Sequence, residues 1–268
     1  MLQPIPMKHI VFAFLLFGGG QYSAAQQSDQ PCPLSTAVQI DGNGEEWPMT
    51  WVQDEDKIFS FNVCADDKNL YVRMMTNDFY AKRKMAAFGL TLWIDPTGKK
   101  KKKLGLKFPA GGSEAEDRAA AIREEGGPGN SAGERADYQK KVDRQLIADL
   151  EVLELIGLAD EPLTSARSGI TNGIKVAIDM DENGAYIYEA LIPFKSYRLS
   201  KAALSELSIG FETGKFVIPK PKVNSKSGAT SGGDISPTQL SRMQGYQSLM
   251  GNPKLTYPTY AWTKMKFN

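Results

Sequence analysis

Histidine is almost absent. The 268-residue chain has one, His9, and it falls in a stretch that reads as an export signal. Past that stretch, Ser-His-Asp and Cys-His activation and histidine-based metal sites are excluded. Long apolar runs are also missing. Ile10 to Phe17 is continuous but far short of the roughly 20 residues a membrane span needs. There is no excess of either charge, with 32 Lys and Arg against 31 Asp and Glu, so the basic surface that nucleic acid requires is not expected. Cysteine is limited to Cys32 and Cys64. An even count in an exported chain permits a disulfide; two free, partly buried thiols are the alternative.

Residues 1–25 have the layout of a secretory signal: Lys8 and His9, the short apolar run, then Ser23-Ala24-Ala25 as a small-residue cleavage site. No cysteine follows the run closely enough for lipid attachment. The expected product is soluble, in the periplasm or outside the cell. Residues 26–37 read as an N-terminal arm and 38–268 as a single domain.

Strand signals recur along that domain. Residues 57–76 read as a hairpin turning at Asp66-Asp67-Lys68-Asn69, with Leu70, Val72 and Met74 on one face and Tyr71, Arg73 and Met75 on the other. Residues 87–95 alternate as a strand, and Asp95-Pro96-Thr97-Gly98 turns into the lysine run 99–103. That run is most simply a solvated arm that protects a sheet edge; a site for acidic glycans is the sharper alternative. Residues 173–194 form a hairpin around Asn183-Gly184. Residues 150–158, 207–213 and 260–267 add strands. Tyr138 to Asp149 is expected to be helical, with shorter helical turns around 114–124, 201–206 and 236–250. The result is an all-β antiparallel sandwich, jelly-roll-like, with a helical or disordered insertion around 110–149 and a long loop around 219–258.

The segment Ile40-Asp41-Gly42 through Glu46-Trp47-Pro48 opens the domain. Together with Asn69-Leu70-Tyr71-Val72, Leu92-Trp93-Ile94-Asp95 and Tyr188-Glu189-Ala190-Leu191-Ile192-Pro193, in that order, it resembles the family 9 carbohydrate-binding modules, especially their extracytoplasmic single-domain relatives. The resemblance implies a sugar-binding β-sandwich without catalytic activity, often with calcium. The residues themselves require no cofactor. The oxygen-rich turns Asp66-Asp67-Asn69 and Asp179-Asp181-Asn183 are either ordinary hairpin turns or calcium positions.

Sugar binding needs an exposed ring for the C–H face of a pyranose, with polar groups beside it for the hydroxyls. Trp93, Tyr71, Arg73, Asp95 and Glu189 are the candidate ligand-binding residues; each could instead be a packing or ion-pairing residue. Glu189 sits among apolar neighbours and needs a partner, and Arg73 is expected within salt-bridge distance. Trp47 and Trp51 read as plugs at one end of the sandwich, and Trp262 as core. Three functions remain open: a glycan-binding protein, a cell-surface or periplasmic module with a protein partner, and a two-carboxylate glycoside hydrolase, for which no carboxylate pair stands out.

Overall fold

The computed structural model describes residues 32–33, 38–48, 51–110, 131–148, 150–157, 163–165, 173–197, 199, 206–217 and 252–266. The expected signal at 1–25, the helical turns at 114–124, 201–205 and 236–250, and the loop from 219 to 251 lie outside them.

Among the described residues the fold is an all-β sandwich of two six-stranded sheets. The first contains β1 (Cys32–Pro33), β2 (Val52–Gln53), β3 (Ser60–Ala65) and β4 (Asn69–Thr76). The second begins with β5 (Leu90–Asp95), β6 (Gly105–Lys107), β7 (Val152–Ile156) and β8 (Leu163–Ser165). The chain then returns to the first sheet with β9 (Lys175–Met180) and β10 (Tyr186–Pro193), and ends in the second with β11 (Glu206–Thr213) and β12 (Tyr260–Lys266). The first sheet runs β1-β3-β4-β10-β9, with β2 also pairing β3; the second runs β12-β11-β5-β6-β7-β8. All pairings are antiparallel except β1 beside β3.

Local chemistry sets the turns. Between β3 and β4, Asp66 Oδ1 accepts from the amides of Lys68 (2.7 Å) and Asn69 (2.6 Å). Between β9 and β10, Gly184 takes φ of 85° and Asp181 accepts from the Ala185 amide, the left-handed geometry for which Asn-Gly is suited. Alternation then does the sorting. Leu70, Val72 and Met74 face inward from β4, and Phe59 and Phe61 meet Phe211 of β11 across the layers at 6.4 and 5.8 Å. One apolar core joins both sheets.

One helix was not foreseen. Helix α1 (Phe79–Phe88), capped by Asp78, occupies the start of the expected strand 87–95, so that strand begins only at Leu90. Gly89, with φ of 92°, ends the helix. The apolar stripe that would announce α1 is interrupted by Lys82, Arg83 and Lys84, all buried. Asp143 of helix α2 (Ala132–Ile147) answers two of them: Arg83 Nη2 lies 2.8 Å from Oδ1, and Lys82 Nζ lies 2.8 Å from Oδ2 without hydrogen-bond alignment. Helix α2 starts earlier than the expected 138 because Ser131 and Glu134 form a capping box. A short helix, α3 (Pro253–Thr256), precedes β12.

Cys32 and Cys64 face each other in the β1–β3 register and are joined by a disulfide, with Cα atoms 4.3 Å apart. The bond closes a loop of sequence separation 32, worth about 2–4 kcal/mol. Unfolding in urea with and without reductant should differ by that amount. The comparison is clean because these are the only two cysteines.

Candidate functional site

The outer face of the second sheet carries a row of paired residues, Trp262–Gly210–Trp93–Gly105–Ile156, one from each of β12, β11, β5, β6 and β7. Both glycines are occupied by indole rings. A Cβ on Gly210 would lie 2.7 Å from Cδ2, Cε2 and Cε3 of Trp262 alike, so that ring rests face-on over the glycine. A Cβ on Gly105 would come within 2.9 Å of Trp93 Cε3. Each indole therefore leans onto the glycine of the neighbouring strand, in the same sense, and both rings are partly exposed. Two inter-strand spacings separate their backbones, about 10 Å.

Polar groups are fixed around the rings. Trp93 Nε1 donates to Glu212 Oε2 at 2.6 Å, and the same oxygen pairs with Lys102 Nζ at 2.8 Å. The Lys102 ammonium stands 5.9 Å from the centre of the Tyr260 ring, which is 62 % exposed. Thr91 lies beside Glu212 in the register and Lys107 beyond it. The face thus offers two indoles, a phenol ring, a carboxylate and ammonium groups, the mixed apolar and hydrogen-bonding set that a pyranose ring demands.

Asp95 belongs to the same strand as Trp93 but has a different task. It is buried, and its carboxylate accepts from the Thr97 amide (3.0 Å) and hydroxyl (2.7 Å) and the amides of Lys99 (2.9 Å) and Lys101 (2.8 Å). Burial alone would raise its pKa, but these bonds outweigh it and leave the value below the ordinary one. Its oxygens organise the β5–β6 turn, so Asp95 shapes the site rather than presenting itself to a ligand.

The other three expected ligand residues lie on the opposite side of the sandwich. Tyr71, Arg73 and Glu189 share the outer face of the first sheet, with Arg73 directly across from Glu189. They are covered by residues 38–48 and are 8, 7 and 0 % exposed. Trp47 packs edge-on against Tyr71, with centroids 6.5 Å apart, so it closes this face rather than an end of the sandwich. Glu189 Oε2 accepts from the amides of Gly42 (2.9 Å) and Asp41 (3.2 Å). The expected Arg73–Glu189 salt bridge does not form. The carboxylate is drawn up to those amides, while the guanidinium leans over Trp51 at 4.3 Å, leaving Arg73 Nε and Glu189 Oε1 unpartnered. Burial raises the pKa of Glu189 against the pull of the two amides and of Arg73's charge. The five expected residues therefore form two groups on opposite faces.

Sequence reasoning missed Trp262, Glu212, Lys102 and the two glycines. Trp262, expected in the core, sits on the outer side of β12 with Lys264. The signal was its parity: in Tyr-Ala-Trp-Thr-Lys-Met-Lys the buried set is Ala261, Thr263 and Met265. Among the described residues no group of three or more His, Cys, Asp or Glu is arranged to hold a metal ion. In the two turns considered for calcium, Asp66 and Asp181 spend oxygens on backbone amides. A pocket of about 270 Å³ lies between α1 and α3, with Lys84 among its lining residues. Burial lowers the Lys84 pKa to about 8, but its amine bonds to the Tyr257 carbonyl (3.1 Å) and the Thr259 hydroxyl, pinning the segment before β12.

Fold and face together define a β-sandwich with one outer surface closed by its own N-terminal segment and the other carrying an aromatic row. No protein-family model matches this chain, and no curated protein matches it.

Proposed function

We propose that the protein is an exported, non-catalytic carbohydrate-binding protein, related to the family 9 carbohydrate-binding modules, that takes a sugar chain on the outer face of the second sheet. The observation that carries this reading is the pair of partly exposed indoles on one face, Trp262 over Gly210 and Trp93 with its edge against Gly105. Glycine at these two positions weakens a strand and offers nothing to pack; here it leaves room for the Trp262 ring over Gly210 and for the Cε3–Cζ3 edge of Trp93 against Gly105, with both rings partly exposed. Glu212, hydrogen-bonded to Trp93, holds that ring in place and leaves a carboxylate edge for sugar hydroxyls. The spacing of the rings suits a disaccharide unit. A chain whose only histidine is His9, with no carboxylate pair marked out for acid-base work, is better suited to holding a glycan than to cleaving it.

Affinity electrophoresis on a panel of neutral and acidic polysaccharides tests this. Trp93→Ala and Trp262→Ala should each weaken binding at least tenfold, about 1.4 kcal/mol, with little change in unfolding midpoint. Failure of the parent protein to bind any glycan would sink the reading. The runner-up is a protein-interaction module, since Trp and Tyr are also the residues that dominate protein interfaces. Capture of one specific partner, abolished by the same substitutions and indifferent to sugars, would favour it.

A further inference from the structure

We infer that the ligand of this face is an anionic polysaccharide, a chain of pyranoses bearing carboxylate or sulfate groups. The inference rests on the sugar-binding reading above and adds its charge.

Three observations converge on the lysine run. First, it does not guard a sheet edge. Residues 99–103 connect β5 to β6, and both strands are interior, paired on each side. The edge-protection role expected from sequence therefore does not apply. Second, the run is ordered. Asp95 fixes the amides of Lys99 and Lys101, and Lys100 is held at φ of 58°, a conformation that favours glycine. A lysine kept where glycine would be unstrained points to its side chain. Third, the run is built into the aromatic face. Lys102 and Trp93 share one oxygen of Glu212. The side chains of Lys99, Lys100, Lys101 and Lys103 are exposed and make no ion pair among the described residues.

The charge balance agrees. Among the described residues on the outer side of this sheet and its hairpin, Lys107, Lys264 and Lys266 join the run against Asp95, Glu154, Glu206 and Glu212, two cations for each carboxylate. The whole chain is close to balanced. A positive field at one end of an aromatic platform attracts a polyanion and orients it across the rings. A neutral glycan would gain nothing from it.

The test uses the full chain against polygalacturonate, heparin, a neutral xylan and double-stranded DNA. It compares the parent, Trp93→Ala, and the combined Lys100→Gln, Lys101→Gln, Lys103→Gln variant. Matched unfolding midpoints confirm that the exposed glutamines leave the fold intact. The expected result is retention by one acidic polysaccharide, at least tenfold weaker in either variant, and suppressed in about 1 M salt, where the screening length falls to ~3 Å. Polygalacturonate and heparin separate carboxylate from sulfate as the preferred group. Binding to xylan alone, unchanged in the lysine variant, would overturn the inference and leave the platform standing. Binding to none of the glycans would overturn the platform and the inference with it. Acidic binding that survives Trp93→Ala, or is matched by DNA, would show a mere polyelectrolyte contact and overturn the inference.

Discussion

Glu189→Ala should lower the stability of the protein by about 3–5 kcal/mol, because two amides lose their acceptor at about 1–3 kcal/mol each and a buried guanidinium loses a nearby counter-charge. Three losses add up. The amides of Asp41 and Gly42 lose a charged acceptor, and hydrogen bonds to charged groups contribute about 1.5–3 kcal/mol each. Arg73, buried and already without a partner for Nε, loses its closest counter-charge on the strand opposite. Among the described residues, the strap 38–48 then keeps its apolar contacts, the Asn62 bond to Pro48 and the attraction between Glu46 and Arg73 to hold it on the face. Glu189→Gln keeps an acceptor for the amides and should cost less. Its cost should also depend on pH in a definite sense. The Glu189 pKa is raised above its ordinary 4.5. The stability contributed by that shift is present in full below 4.5 and is lost as pH rises through the folded-state value. The parent protein therefore gains on the glutamine variant as the solution is acidified. Urea denaturation of parent, Ala and Gln variants across mildly acidic to neutral pH would check both points; a cost for Gln that grows toward neutral pH would contradict the burial argument.

The same residue shows what a sequence can and cannot reveal. Parity put Arg73 on the face away from Leu70, Val72 and Met74 but left Glu189 on an apolar face with Ile187 and Leu191; the register sets the two directly across from each other on the outer side of the sheet. Whether an outer side is wet depends on what lies over it. Here the cover is a segment almost 150 positions away from Glu189, with sequence separations of 147 and 148, and no local pattern carries that. The opening motif was legible as a turn and as the start of the sandwich; its role as a strap over three of the expected ligand residues was not. On the other sheet the legible part was Trp93 with its polar neighbours. Its companion Trp262 was hidden because the order β12-β11-β5 brings the last strand beside a strand some 170 positions earlier only through β11. Once that order is known, glycine at 210 between two tryptophans is a readable signal.

Asp143→Ala should be the other severe substitution, again about 3–5 kcal/mol, although it touches neither sheet's outer face. Helix α1 turns Lys82, Arg83 and Lys84 inward, which periodicity argues against, and the Asp143 carboxylate meets two of them, at 2.8 Å from both Lys82 and Arg83. Removing it strands a guanidinium that is 2 % exposed and already lacks partners for Nε and Nη1. Arginine cannot escape by losing its proton. The Lys82 amine, by contrast, keeps its bond to the Gly184 carbonyl at 2.7 Å. The damage should therefore centre on Arg83. This gives a discriminating second variant: Asp143→Leu combined with Arg83→Met. Replacing a buried ion pair by apolar residues of similar volume is often neutral or stabilising, so the double variant should recover most of what Asp143→Ala loses. Unfolding midpoints of the two variants decide the matter. Recovery would mean that the pair holds α1 against α2 by mutual compensation alone. No recovery would mean that α1 needs a charged interior, and the helix missed by sequence would then be selected for its charge rather than for its packing.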